Sequence, residues 1–420
     1  MQQSKKNLDL FTIGLMALIT GSIGLNWFNL SVWGYFLYGL GIASCGYHVL
    51  DKSRGFKILW ENLKLYKGEV YPILKRKKKT PYGYDLRFTL PAGLSTEDFE
   101  KNKTAIEQYL DKKIKIRYEH KTLIIEVYNK SLSKHKFEVV KTNSIVEFPV
   151  GYSFGGKIET VDLTDGQPHM LIAGETGSGK STTLRGIITN LILTKDPNVL
   201  ELHLIDLKRG AEFGIFSKCK IVKSFSRTKE EAEEILYKLS DEVDRRYTLF
   251  YEKNCVDIKE YNRKYRKNKL NYKLVIIDEF ADLQNEKDSI SIIETLAAKA
   301  RACGIHLIIS TQRPDSKILN GRIKANVPVV LGLKTMNELN SRIIIDCKGL
   351  EELKGKGHGI LKYKGEVEIQ AMNITPQQAR DLVKPYYRKD SKSKATKIRR
   401  TQKVGEVENF DFLKVFKGGK

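Results

Sequence analysis

The chain has 420 residues, 41% of them hydrophobic, which gives room for about two or three domains and one sizeable core. That excludes a short disulfide scaffold and a chain disordered throughout. Lys and Arg number 73 against 50 Asp and Glu, a net charge of +23. The self-repulsion of such an excess is relieved when a polyanion, nucleic acid or anionic lipid, shares the surface, although plain solubility also accounts for it. The five cysteines, Cys45, Cys219, Cys255, Cys303 and Cys347, form no CxxC pair and have no His at metal spacing. Neither disulfides nor structural zinc is expected, and the globular part is placed in a reducing compartment.

From Leu10 to Leu50 there is no Asp, Glu, Lys or Arg. A single helix of that length would measure about 60 Å, twice the bilayer hydrocarbon, so the stretch reads as two crossings broken at Asn26-Trp27-Phe28-Asn29. Lys5 and Lys6 precede the first crossing, and Lys52, Arg54 and Lys57 follow the second, which puts both ends on the inner side. A cleaved signal peptide or a buried helical hairpin are the competing readings. The expectation is a two-pass protein of the cell membrane, with both termini and the globular part cytoplasmic.

The basic run Lys75 to Lys79 reads as a linker, a headgroup-facing collar or a nucleic-acid contact. Beyond it a small α+β unit is expected. Strands are predicted over Asp85 to Leu90, Ile114 to Tyr118 and Thr122 to Tyr128, with a helix over Thr96 to Leu110 opened by Ser95-Thr96-Glu97-Asp98. From about Val146 to Thr375 short apolar runs alternate with longer amphipathic ones, the pattern of a parallel sheet covered by helices. Predicted strands are His169 to Ala173, Leu200 to Asp206, Tyr272 to Asp278, Ile305 to Thr311 and Val327 to Leu333. Predicted helices include Ser181 to Leu193, Lys229 to Tyr251 and Ser289 to Ala302. Arg388 to Lys403 carries eight basic residues and one acid without hydrophobic periodicity, the composition of a disordered tail. The resulting division is a membrane hairpin over 1–52, a basic juxtamembrane linker over 53–83, the small unit over 84–145, an α/β domain over 146–384 and a basic tail over 385–420.

Within the α/β region, GETGSGKS satisfies G-x-x-x-x-G-K-[ST], with an apolar strand leading in and a helix leading out. Main-chain N–H groups of Gly174, Glu175, Thr176, Gly177, Ser178, Gly179, Lys180, Ser181 and Thr182 can then surround phosphates at the positive end of the helix. Lys180 reaches the β and γ phosphates of ATP, and the Ser181 hydroxyl holds Mg2+. The run KLVIIDEFADL, residues 273–283, ends a buried strand in two carboxylates. Asp278 is the expected metal partner and Glu279 the base that polarises water. HLIIST delivers Gln312 to the same edge, where it can sense the γ phosphate or simply cap its strand. Arg342 and Arg301 are candidates for a charge that stabilises the transition state.

Together these residues resemble the FtsK/SpoIIIE family of DNA-pumping ATPases, within the HerA/FtsK group of P-loop motors. The resemblance runs through HMLIAGETGSGKSTT, LHLIDLKRGAEF, EVDRRYTLFYEKNCVDIKEYNRK, KLVIIDEFADL and the long segment from LAAKARACGIHLIISTQRPD to GLEELKGKGHGIL. It implies a RecA-like P-loop motor, a hexameric homo-oligomeric ring with DNA through its centre, and ATP held between subunits. Arg342 is then the preferred residue to reach a neighbour's site, and Lys354 and Lys356 are candidate channel lysines. Two crossings, no long linker and only about forty mostly polar residues after Ala379 depart from the chromosome translocases. The short layout is similar to coupling proteins of Gram-positive conjugative elements, which implies a relaxase and conjugation-channel proteins as partners. A chromosome-segregation or sporulation translocase and a type VII-like protein-secretion ATPase are the rivals.

Overall fold

The computed structural model describes Ile19, residues 55–315 and residues 319–388. Apart from Ile19, the membrane hairpin expected over 1–52 lies outside the described residues, as does the tail from 389 onward; residues 385–388, expected in the tail, instead join the larger α/β unit, where the Tyr387 hydroxyl donates to Ile215 O at 3.0 Å. Among those described, no helix is long and apolar enough to cross a membrane.

The small unit is a four-stranded antiparallel sheet of β1 (Ile73–Thr80), β2 (Gly83–Thr89), β3 (Ile114–Glu119) and β4 (Thr122–Tyr128), in the order β1-β2-β4-β3. Alternation along β2 and β4 sends Leu86, Phe88, Leu123, Ile125 and Val127 to one face. Helices α1 (Thr96–Lys101) and α2 (Lys103–Leu110) bury Phe99 and Ile106 in the core on that face. The predicted single helix over 96–110 is thus two, broken at Asn102, whose φ and ψ of −100° and 9° leave the helical region. Residues 55–62 are helical too, and Trp60 is fully buried with its ring 5.4 Å from Phe88 and 5.5 Å from Phe99. The basic run is therefore no linker: Lys75 to Lys79 lie in edge strand β1, register-matched to β2 through Lys77 with Leu86 and Lys79 with Tyr84. Lysines on an edge strand discourage further pairing, and Lys77 gains a local partner by sitting 3.9 Å from the Tyr84 ring centroid.

The larger unit is built on ten strands: β5 (Glu147–Ser153), β6 (Ile158–Asp162), β7 (His169–Ala173), β8 (Leu200–Asp206), β9 (Val222–Ser226), β10 (Tyr272–Asp278), β11 (Ile305–Thr311), β12 (Val329–Leu333), β13 (His358–Lys362) and β14 (Glu366–Gln370). Their order is β6-β5-β14-β13-β12-β7-β11-β10-β8-β9. The six from β12 to β9 are mutually parallel, five of them as predicted and β9 unforeseen, whereas β13, β14, β5 and β6 add antiparallel pairs that turn the sheet into a mixed one. Every residue of β7 and β11 is buried, which is why these central strands read as continuous apolar runs. β12 starts at Val329 rather than Val327 because Pro328 has no N–H for the ladder. Helix α3 (Lys180–Thr194) leaves β7, and α4 (Lys229–Glu252) is capped by the Thr228 hydroxyl, which accepts from Glu231 N. α3 is apolar or buried nearly all round, the mark of a helix enclosed by protein.

Candidate nucleotide site

Parallel pairing brings distant residues to one edge. Asp278 is level with Asp206, Ile277 with Ile309, and Thr311 with Ala173, so the carboxyl ends of β8, β10, β11 and β7 open together. The loop from Gly174 to Gly179 leaves that edge. Gly174 N donates to Thr311 O at 3.2 Å and Glu175 N to Lys334 O at 3.0 Å. Gly179 has φ +106°, and a Cβ there would lie 2.2 Å from Gly357 N, so both backbone and space demand glycine. Helix α3 begins at Lys180 with no side chain capping it, leaving its first-turn N–H groups free to face an anion. A cavity of about 360 Å³ lies against this turn, lined by Glu175, Gly177, Gly179, Lys180, Ser181, Thr182 and Gln312, and on its far side by Lys134, Lys356 and residues 370–373.

Under the loop, Lys180 and the acid pair form one buried network. Lys180 Nζ bonds Asp278 Oδ1, lies 2.8 Å from Ser310 Oγ and 3.9 Å from Glu279 Oε2. Ser310 Oγ donates to Asp278 Oδ1 at 3.2 Å. Glu279 Oε1 accepts from Gln312 N at 3.0 Å and Thr311 Oγ1 at 3.2 Å. Among the described residues, no donor meets hydrogen-bond geometry at Asp278 Oδ2 or Glu279 Oε2. Glu279 itself is held at φ 60° and ψ 63°, a left-handed backbone that costs a non-glycine residue about 1 kcal/mol or more and marks a functional constraint. The Thr176 hydroxyl donates to Gln312 Oε1 at 3.2 Å, tying the phosphate loop to the end of β11. Ser178 is buried with its hydroxyl unpartnered.

The structure therefore brings together Lys180, Asp278, Glu279 and Gln312, with Ser181 and Thr182 on the cavity wall. It does not bring in the arginines of the same chain. Arg342 lies on α5 (Glu338–Ile345) and bonds Glu338 through Nε at 2.9 Å and Nη2 at 2.6 Å, with its side chain 57% exposed. Arg301 precedes β11 and so lies at the opposite edge, about 20 Å away across a seven-residue strand. Lys356, expected on a channel loop, instead presses on the phosphate loop: its N donates to Gly177 O at 3.3 Å, and Gly357 N to Ser178 O at 2.6 Å. Lys354 N bonds His358 Nδ1 at 3.1 Å.

Sequence reading missed Lys208. Its Nζ lies 3.3 Å from Glu279 Oε2 and 3.6 Å from Asp278 Oδ2. Burial works against its charge, but the Asp278 and Glu279 carboxylates outweigh that and hold its pKa above the ordinary lysine value. Beneath it, burial raises the pKa of Asp206; the amides of Phe213 and Glu212 lower it and neighbouring Asp278 raises it. The available signal was position: Lys208 comes two residues after β8, on the edge where the acid pair ends β10.

Comparison with known proteins agrees with this geometry. The FtsK/SpoIIIE family matches residues 130–316. The DNA translocase FtsK of Staphylococcus aureus is 34% identical over 279 residues, covering 62% of this chain and 35% of that protein. That of Clostridium acetobutylicum is 35% identical over 277 residues, covering 62% and 36%. The chain thus spans about a third of the length of these curated relatives. Among solved structures, the pCW3 conjugation coupling protein TcpA with ATPγS aligns over 80% of this chain and 99% of its own, with TM-score 0.55 and 26% identity. The cytoplasmic domain of the Thermomonospora curvata type VII secretion ATPase EccC aligns over 60% and 32%, with TM-score 0.53 and 22% identity, a likeness of fold. Residues 130–316, which hold both the phosphate loop and the acid pair, are thus similar to the FtsK/SpoIIIE family.

Proposed function

We propose that the chain is a membrane-anchored, ATP-driven DNA translocase serving as the coupling protein of a conjugative element, moving DNA to or through the transfer channel. The observation that carries this reading is the bond between Lys180 of the phosphate loop and Asp278, with Glu279 beside it, at the open edge of a parallel sheet. The coupling role is favoured by the likeness to TcpA, which extends over nearly the whole of that chain. The FtsK relatives supply the chromosome-translocase alternative. Anchoring rests on the uncharged stretch Leu10 to Leu50.

The donor set suits magnesium: the Ser181 hydroxyl on the cavity wall, and a buried Asp278 oxygen with no hydrogen-bond donor among the described residues. The metal, when bound, supplies positive charge to the β and γ oxygens. Lys180 exchanges Asp278 for the phosphates. Glu279, fixed through Oε1 by Thr311 and Gln312 N, takes a proton from the attacking water. Gln312 reports phosphate occupancy to the loop through Thr176, the start of a ligand-driven shift between states. Arg342, exposed and among the described residues paired with Glu338 of its own helix turn, completes the site of the next subunit in a hexameric ring. The +23 charge suits a sequence-tolerant grip on DNA that weakens steeply with salt. Relaxase and channel proteins are the further partners.

The test is ATP hydrolysis by the purified protein with single-stranded DNA, duplex DNA or a secretion-signal peptide. Stimulation by either DNA form, lost in Lys180→Ala, is expected. Stimulation by the peptide alone would move the assignment to protein secretion, and a location at the division septum would favour the chromosome-translocase alternative.

A further inference from the structure

The loop after β8 is tied down from three sides. The Asp206 carboxylate accepts N–H bonds from Lys208 at 3.1 Å, Glu212 at 2.9 Å and Phe213 at 2.8 Å. Glu212 in turn accepts from Arg185 Nη2 at 2.7 Å, and Arg185 Nη1 donates to Ile374 O at 2.9 Å. Arg185 belongs to α3, the helix that begins at Lys180. Lys208 is therefore presented by a loop anchored both to its own strand and to the phosphate-loop helix.

Its ammonium meets the acid pair at Asp278 Oδ2, which Lys180 does not take, and is the nearer of the two ammoniums to Glu279 Oε2, at 3.3 Å against 3.9 Å. Lys180 bonds Asp278 Oδ1; Lys208 faces Asp278 Oδ2 and Glu279 Oε2, the two oxygens at which no donor among the described residues meets hydrogen-bond geometry. Asp278 is 0% exposed and Glu279 5% exposed, so two neighbouring carboxylates are held away from solvent between two ammoniums. Such a pair is costly whenever a cation leaves it, because an uncompensated buried charge is worth far more than an exposed one. When Lys180 turns to a triphosphate it withdraws one of the two.

We propose that Lys208 is the counter-cation that stays on Glu279 while Lys180 transfers to the nucleotide and Asp278 to the metal, and so positions Glu279 through both states. It is a positioning residue, since it acts through the acids and not on the phosphate. The inference rests on the nucleotide-binding reading above.

The test is a double-mutant cycle on binding of ATPγS with magnesium by the full-length protein, read by calorimetry and independent of turnover. Lys208→Met should weaken binding about tenfold, and Lys208→Arg, which keeps the charge, by less than about threefold. In a Glu279→Gln background Lys208→Met should cost less than about threefold, because a neutral amide needs no cation. An equal loss in both backgrounds, or no loss in either, overturns the proposal. Thermal denaturation of the same four proteins runs the cycle without nucleotide: a loss in Lys208→Met that Glu279→Gln restores supports the pairing, and an unrestored loss contradicts it. A wild-type protein that fails to bind ATPγS overturns the nucleotide reading itself, while the melting cycle still decides whether Lys208 compensates Glu279.

Discussion

The two edges of the large sheet both bury ionisable side chains, and they use them in opposite ways. At the amino edge Arg246, 1% exposed, is committed: it donates to Glu242 at 2.7 Å, to Cys303 O at 2.6 Å and to Asn271 O at 2.9 Å. Burial works against the Glu242 carboxylate, but Arg245 and Arg246 outweigh it and hold its pKa down to about 2. His169 and His306 lie on the same edge as neutral rings, pushed by burial to about 3 and about 4. His169 Nδ1 accepts from Leu307 N at 3.0 Å, and His306 Nδ1 sits 2.9 Å from Pro168 O. At the carboxyl edge Asp278 and Glu279 keep oxygens without donors, Lys180 shares its ammonium among three partners, and the backbone of Glu279 is left-handed. The difference teaches that burial by itself marks neither edge as functional. What separates them is the fate of the charged groups: Arg246 spends its donors on the fold, whereas the acid pair keeps oxygens open to a ligand, and the neutral His169 and His306 rings each keep an unpartnered Nε2 without a charge to offer.

Four tests would break or sharpen this contrast. The largest effect belongs to the carboxyl edge. Lys180→Ala should abolish nucleotide binding and hydrolysis, and Glu279→Gln should lower the hydrolysis rate about 100- to 10,000-fold while binding persists, as read by calorimetry beside a phosphate-release assay. Full-rate turnover in Glu279→Gln would remove the assigned base. Next, at the amino edge, Arg246→Ala should cost about 2–4 kcal/mol of stability in chemical denaturation, since it leaves the Cys303 and Asn271 carbonyls without their donor and Glu242 with Arg245 alone. A cost below about 1 kcal/mol would show that this edge is not spent on the fold.

Third, the amino edge should carry a pH signature. The folded-state pKa values of His169 and His306 are depressed below the ordinary 6.5, so as pH falls the unfolded chain takes up protons before the folded one does. Their contribution is complete above about pH 6.5 and is lost as pH falls toward 4, roughly 3 kcal/mol for a ring displaced to about 4. Melting temperature should decline over that window in wild type and decline less in His306→Gln; parallel profiles would contradict the assignment. The smallest stability change is expected for Arg342→Ala, within about 0.5 kcal/mol because it removes only an exposed i,i+4 pair. Loss of DNA-stimulated hydrolysis in that variant, restored by mixing with subunits that carry an intact Arg342 but a Lys180→Ala change, would place Arg342 in the neighbour's site. Undiminished hydrolysis would remove it.

How much of this was legible in the sequence depended on how local the signal is. The phosphate loop is contiguous, and the acid pair ends an apolar run whose interior position in the sheet makes it continuous, so both could be read from short windows. The antiparallel arm could not. β14 is only Glu-Val-Glu-Ile-Gln, with one end exposed, and its place beside β5 depends on contacts over two hundred residues apart. The five bases of β1 look like a solvated linker, and their pairing with β2 is a backbone matter that side-chain pattern conceals. Lys208 is one of 73 basic residues and gains meaning only from the register that sets Asp206 beside Asp278. Lys356 reaches the phosphate loop because Gly355, Lys356 and Gly357 are all left-handed, with φ 74°, 54° and 90°, a turn its spacing alone does not specify.

The most direct measurement is the steady-state rate of ATP hydrolysis by the intact protein with and without DNA, beside the same protein carrying Glu279→Gln. Hydrolysis in the wild type that rises with DNA, and binding without hydrolysis in the variant, is the predicted result. Hydrolysis that ignores DNA, or that survives unchanged when the Glu279 carboxylate is gone, would contradict it.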